Sequence, residues 1–100
     1  MKVGCNTVVF AGVDLGTALE HVALAGYEHV ELAAIRGMCE HANPDLGKDH
    51  ASEVRGLLEG SGLTATAMEV ASPDRERLEG IFWLAGELEI GIVNIGSGGE

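Results

Sequence analysis

Four short runs rich in apolar and β-branched residues recur along the chain: Val3 to Phe10, His29 to Ala34, Thr64 to Ala71 and Ile92 to Gly96. Three are mostly apolar with few charges, the pattern of strands covered on both faces. The third, TATAMEVA, alternates more, and its polar members are mainly Thr, which strands accept.

Helical periodicity fills the gaps. The first helix takes Asp14 as N-cap and aligns Leu15, Ala18, Leu19, Val22 and Ala23 on one face, with Gly26 just past its end. The second follows Asn43-Pro44-Asp45, places Leu46, Val54, Leu57 and Leu58 on one stripe, and stops at Gly60 to Gly62. The third takes Ser72 as N-cap and Pro73 at its first position. Leu78, Ile81, Phe82 and Ala85 form its stripe, Trp83 and Leu84 lie off it, and Gly91 closes it. Glycines at 16, 47, 56, 80 and 86 weaken these helices, so they need tertiary packing.

The order strand, helix, strand, helix, strand, helix, strand predicts an α/β fold with parallel strands and right-handed crossovers. Strand starts near 3, 29, 64 and 92 give spacings of 26, 35 and 28 residues. A (β/α)8 barrel averages roughly 31 residues per unit, and a doubly wound sheet gives similar spacings. The first strand–helix turn, FAGVDLG, has no G-x-G-x-x-G fingerprint, which weakens the dinucleotide-binding alternative. The pattern stops at GSGGE, where another helix is expected. Residues 1–100 are therefore expected to be the N-terminal part of a single barrel domain, about three and a half βα units of a longer parent.

Composition narrows the function. The chain is 46% hydrophobic and 22% charged, with only Phe10, Tyr27, Phe82 and Trp83 as aromatics, so Ala, Val and Leu must fill the core. Sixteen acids against six bases give a net charge of −10. Nucleic acid needs clustered Lys and Arg, and anionic membranes need the same, so neither is an expected partner. There is no signal-peptide pattern and no run of roughly 18 apolar residues. Cys5 and Cys39 are expected to be free thiols in a reducing, cytoplasmic setting.

Functional groups of parallel α/β proteins gather at the carboxyl ends of the strands. Each strand carries a polar residue that a buried strand would not choose: Asn6, Glu31, Glu69 and Asn94. Lining one mouth, they could hydrogen-bond a sugar or polyol. Singly, each has an ordinary explanation, such as a turn closed by Asn or a Glu paired with Arg36. GSGG at Gly96 to Gly99 is either a phosphate cradle or a sharply turning loop. His21, His29 and His50 belong to helix surfaces and flanks, remote from a mouth. The segment GMCEH, Gly37 to His41, sets Cys39, Glu40 and His41 side by side in the loop after the second strand. Neighbouring side chains diverge, and two donors make a weak metal site. The segment is expected to be a rim loop, with His41 or Glu40 touching substrate.

The opening KVGCNTVVFAGVDLGTALEHVALAGYEHVEL resembles that of xylose-isomerase-like TIM barrels, a group of sugar-phosphate isomerases and epimerases together with apurinic-endonuclease-type repair enzymes. The shared elements are the polar pair Asn6 and Thr7 ending a strand, the helix start at Asp14, and A-G-Y-x-x-V-E-L over Ala25 to Leu32. AMEVAS and LEIGIVNIGSGG resemble the third unit and fourth strand. The resemblance implies an isomerase or epimerase that moves a proton on a hydroxy-carbonyl sugar, polyol or keto substrate, with a divalent metal (Mn, Mg, Co or Zn). In that family the metal ligands come from later strands, beyond Glu100. This chain alone is then expected to bind no metal tightly and to be inactive, while the parent could form a homo-oligomer. Its own part would be substrate-binding: Asn6, Glu31, His41, Glu69 and Asn94. The alternatives are a non-catalytic binding or structural domain on the same scaffold and a repair enzyme; against the latter stand the net charge and Glu31 and Glu69, where the endonucleases place histidines.

Overall fold

The computed structural model describes residues 4–35, 38–71 and 74–96. The chain runs β1 (Gly4–Asn6), a 3-10 turn (Thr7–Phe10), α1 (Leu15–Leu24), β2 (His29–Ile35), β3 (Cys39–Glu40), a second 3-10 turn (Pro44–Leu46), α2 (Gly47–Ser61), β4 (Thr64–Ala71), α3 (Arg75–Glu87) and β5 (Val93–Gly96). It is an α/β fold. The parallel sheet has the order β1-β2-β4-β5, each strand beside its predecessor, and β3 pairs antiparallel with the end of β2.

Register separates the two faces of the sheet. Cys5 pairs with Val30, Leu32 with Met68, Met68 in turn with Val93, and Val70 with Ile95. Val30, Leu32, Met68 and Val70 are at most 1% exposed. They share one cluster with Leu15, Leu19 and Val22 of α1, Val54 and Leu58 of α2, and Ile81 and Leu84 of α3. All three helices therefore cover one face. Right-handed crossovers between successive neighbours put every helix on the same side, whereas a doubly wound sheet reverses direction. The core is aliphatic, as the scarcity of aromatics requires.

Several elements depart from the sequence expectations. The first strand ends at Asn6 rather than Phe10, because the Asn6 Oδ1 accepts the Val8 amide hydrogen at 2.9 Å and starts a 3-10 turn. The presumed loop at Cys39 and Glu40 is the short strand β3. Leu46 is 60% exposed, and Ala51 takes its place on the buried stripe of α2. In α3, Asp74 is the N-cap, accepting from the Arg77 amide at 2.7 Å. The expected cap Ser72 and Pro73 lie outside the described residues, as do Arg36 and Ser97 to Gly99 of the GSGG segment. The stripe of α3 is rotated as well. Leu84 is fully buried, while Phe82 and Trp83 are 55% and 37% exposed.

The remaining boundaries agree closely. Asp14 caps α1, where its carboxylate accepts from the Thr17 hydroxyl at 2.7 Å and stays below its ordinary pKa for that reason. Gly26 and Gly62 hold φ of 95° and 75° just past α1 and α2, the left-handed region that ends a helix most readily with glycine. No helix among the described residues is long and apolar enough to cross a membrane.

Candidate functional site

The face of the sheet opposite the helices is polar. Asn6 pairs with Glu31, and Ala33 with Glu69, which pairs in turn with Asn94. Side chains alternate along a strand, so Glu31 and Ala33 point the same way, and all four polar residues stand on one face. A bulge in β4 makes this so. His29 pairs with Thr64 and Val30 with Ala65, but Glu31 pairs with Ala67, leaving Thr66 as the extra residue. Without it, Glu69 would point among the helices.

The Asn6 Nδ2 donates to Glu69 Oε1 across the intervening strand. β1 and β4 are two inter-strand spacings apart, roughly 10 Å, a gap that two long side chains can close. Ala33 lies in the row between them, and its single methyl leaves the bridge room; Ala33 is fully buried. The amide of Asn6 is thus held at both ends, its oxygen by Val8 and its nitrogen by Glu69. Thr7, also fully buried, extends the join, its Oγ1 accepting the Ala33 amide hydrogen at 2.9 Å. Glu31 is half-buried and hydrogen-bonds to no described side chain, and Asn94 is exposed. His29 begins β2, as expected, on this same face, and its buried Nδ1 has no hydrogen-bond partner among the described residues. The sequence reading had set it beside the first helix, remote from the mouth.

His41 stands apart from these four. It is 8% exposed, with Nε2 2.8 Å from the Val13 carbonyl oxygen and Nδ1 3.2 Å from the Cys39 thiol. It lines a cleft of about 480 Å³ between the start of α1, β3 and α2. Burial pushes the Cys39 thiol pKa up, and both cysteines are free. Across the same loop, His50 is half-buried. Its Nε2 accepts the Asn43 amide hydrogen at 3.0 Å, and burial lowers its pKa.

Arg77 is a residue that no sequence pattern singled out. Its side chain is 2% exposed, and the guanidinium reaches back from α3 to the loop after β2. It donates to Asn43 Oδ1 at 3.1 Å and to the Ala34 carbonyl at 3.4 Å, and it pairs with Asp45 at 3.4 Å and Glu40 at 3.5 Å. All of these partners lie at least 32 residues upstream, so no local pattern marks the residue. It fixes the loop that carries Cys39 to Asp45.

Comparison with protein-family models, with curated proteins and with solved structures returns no match. Among the described residues, no three or more His, Cys, Asp or Glu side chains gather as a metal-binding group.

Proposed function

We propose that this chain forms the N-terminal part of a xylose-isomerase-like (β/α)8 barrel, and that its polar sheet face is the wall against which a sugar, polyol or keto substrate lies. One observation carries the reading: Asn6, Glu31, Glu69 and Asn94 share the helix-free face of a parallel sheet whose strands follow chain order. A closed barrel has this arrangement, with helices outside and functional side chains within.

The chemistry of the four suits hydroxyl groups. Asn94 offers both a donor and an acceptor, and the Glu31 carboxylate is an acceptor free of described protein partners. Glu69, held by Asn6, presents its second oxygen in a fixed position. The family's divalent metal would polarise the substrate carbonyl. In this reading the metal ligands come from later strands, and the role of Glu31 and Glu69 is to bind and orient the substrate.

The test is an NMR titration of the chain with aldoses, ketoses and inositol. Shift changes should centre on Glu31, Glu69 and Asn94 and vanish in Glu69→Ala. Changes spread over the helices, or none at millimolar ligand, would refute the reading.

A further inference from the structure

We propose that two copies of this chain close into one eight-stranded barrel, β5 of each pairing in parallel with β1 of the other. The inference rests on the barrel part of the reading above and names a partner that completes its site.

Both edges of the parallel sheet are open. Among the described residues, β1 pairs only with β2, and β5 only with β4. Open edges are ordinarily blunted by Lys, Pro, a bulge or an inward charge. The two edge strands, Gly4–Asn6 and Val93–Gly96, contain no charged residue and no proline. Neither of their ladders has a bulge. Beside this edge, Ile92 and Ile95 leave 54% and 53% of their surface to solvent.

The topology fits a second copy. Four parallel strands in chain order, with every helix on one face, are half of an eight-stranded barrel. A twofold axis along the barrel sets β5 of one copy beside β1 of its partner and, by symmetry, the reverse. All eight strands then run parallel and no edge remains.

The register agrees. Asn6 lies level with Glu31 and Ala67, and Met68 with Val93, so Ile92 stands in the row of Asn6. A barrel of this class has a shear of about 8 residues, hence about 4 across each half. Four residues on from Ile92 is Gly96. The partner's Asn6 then meets Gly96, the partner's Cys5 meets Ile95 and the partner's Gly4 meets Asn94, so all of β1 falls opposite β5. The opposite shift would bring Asn6 to Leu88, which caps α3 and is no part of a strand. Cys5 and Ile95 stand on the helix side of the sheet, in the rows of Val30 and Val70. The two polar faces turn inward, and the partner's Glu31 and Asn94 complete the enclosure around a substrate.

Sedimentation velocity of the chain should show the mass doubling between micromolar and roughly millimolar concentration and rising no further. Each copy carries a net charge of −10, so added salt should tighten the pair. Ile95→Cys places a thiol beside the partner's Cys5. Within one copy the two positions stand three strand spacings apart, roughly 14 Å, too far for a disulfide. Mild oxidation should therefore join the new thiol to Cys5 of another copy, mapped by peptide mass spectrometry. Leu24→Cys, at a site 81% exposed on α1, should give no such bond. Ile95→Lys should weaken association roughly tenfold or more, with circular dichroism confirming the fold. Phe82→Ser, on the exposed flank of α3, should leave association unchanged. The proposal is overturned by a monomer at roughly millimolar concentration, by a mass that climbs past twofold as an open ribbon of sheets would give, or by oxidation that reaches Cys5 no faster in Ile95→Cys than in Leu24→Cys. A monomer whose wall still binds sugars would sink the pairing alone; a cross-linked pair that binds none would sink the substrate reading alone.

Discussion

Arg77 carries a structural load that two substitutions can divide. In Arg77→Ala, the solvent-reaching partners lose little: the Glu40 and Asp45 side chains are 35% and 67% exposed, and water replaces the guanidinium. Asn43 Oδ1 keeps the Asp45 amide at 3.0 Å. What is lost is the hydrogen bonding around the Ala34 carbonyl, about 1 kcal/mol, and the burial of the two methylenes beyond Cβ, about 2 kcal/mol. The sum is about 3 kcal/mol. At roughly 4–8 °C per kcal/mol for a domain of this size, that lowers Tm by about 12–24 °C. Arg77→Met keeps most of the stem and should cost only about 1–1.5 kcal/mol. Urea unfolding followed by far-UV circular dichroism and Trp83 fluorescence measures both. Equal losses in the two variants, or less than about 1 kcal/mol for Arg77→Ala, would show that the residue does not fasten the loop as described.

Three other outcomes follow from the geometry. His50 accepts the Asn43 amide hydrogen only when neutral, and its folded pKa lies below the ordinary 6.5; the unfolded chain therefore binds the proton first. Stability should fall as pH drops through about 6.5, levelling off below the depressed folded value, and His50→Gln should flatten that part of a urea-midpoint curve. Ala33→Leu puts a branched side chain under the Asn6–Glu69 bridge; it should cost about 1–3 kcal/mol and release the Asn6 side-chain amide to exchange, read by NMR. Gly56→Ala meets nothing within 4 Å and should stabilise by about 0.5–1 kcal/mol, whereas Gly80→Ala meets the Pro44 Cβ at 3.1 Å and should give no gain, both read from Tm.

Much of the fold was legible because period and punctuation agree. TATAMEVA is β4 to the residue, and Asp14 and Gly26 mark α1 as written. The failures have physical causes. Asn6 ended β1 early by closing on the Val8 amide, a habit of Asn that its own sequence announces. In α3, starting the stripe from Ile81 and counting three and four onward reaches Leu84, Ala85 and Leu88, the buried set. Starting from Leu78 favours Phe82, which faces solvent. β3 is two residues long, too short for any period. The polar face was legible as four suspicious residues lining one mouth; what was not legible is the bulge at Thr66 that sets the facing of Glu69, because no simple alternation reveals it. His41 looked like a rim residue by position; its burial depends on Val13, 28 residues away.

The one-sided placement of the helices has a consequence for how such a chain can vary. Along each strand, odd and even positions answer to different demands. One set is tied into the aliphatic core, where a methylene gained or lost is felt. The other meets whatever lies against the sheet and carries little of the packing. Substitutions at Glu31 or Asn94 can therefore accumulate while the scaffold stays whole. Glu69, tethered through Asn6, and Ala33, fully buried beside it, answer to both.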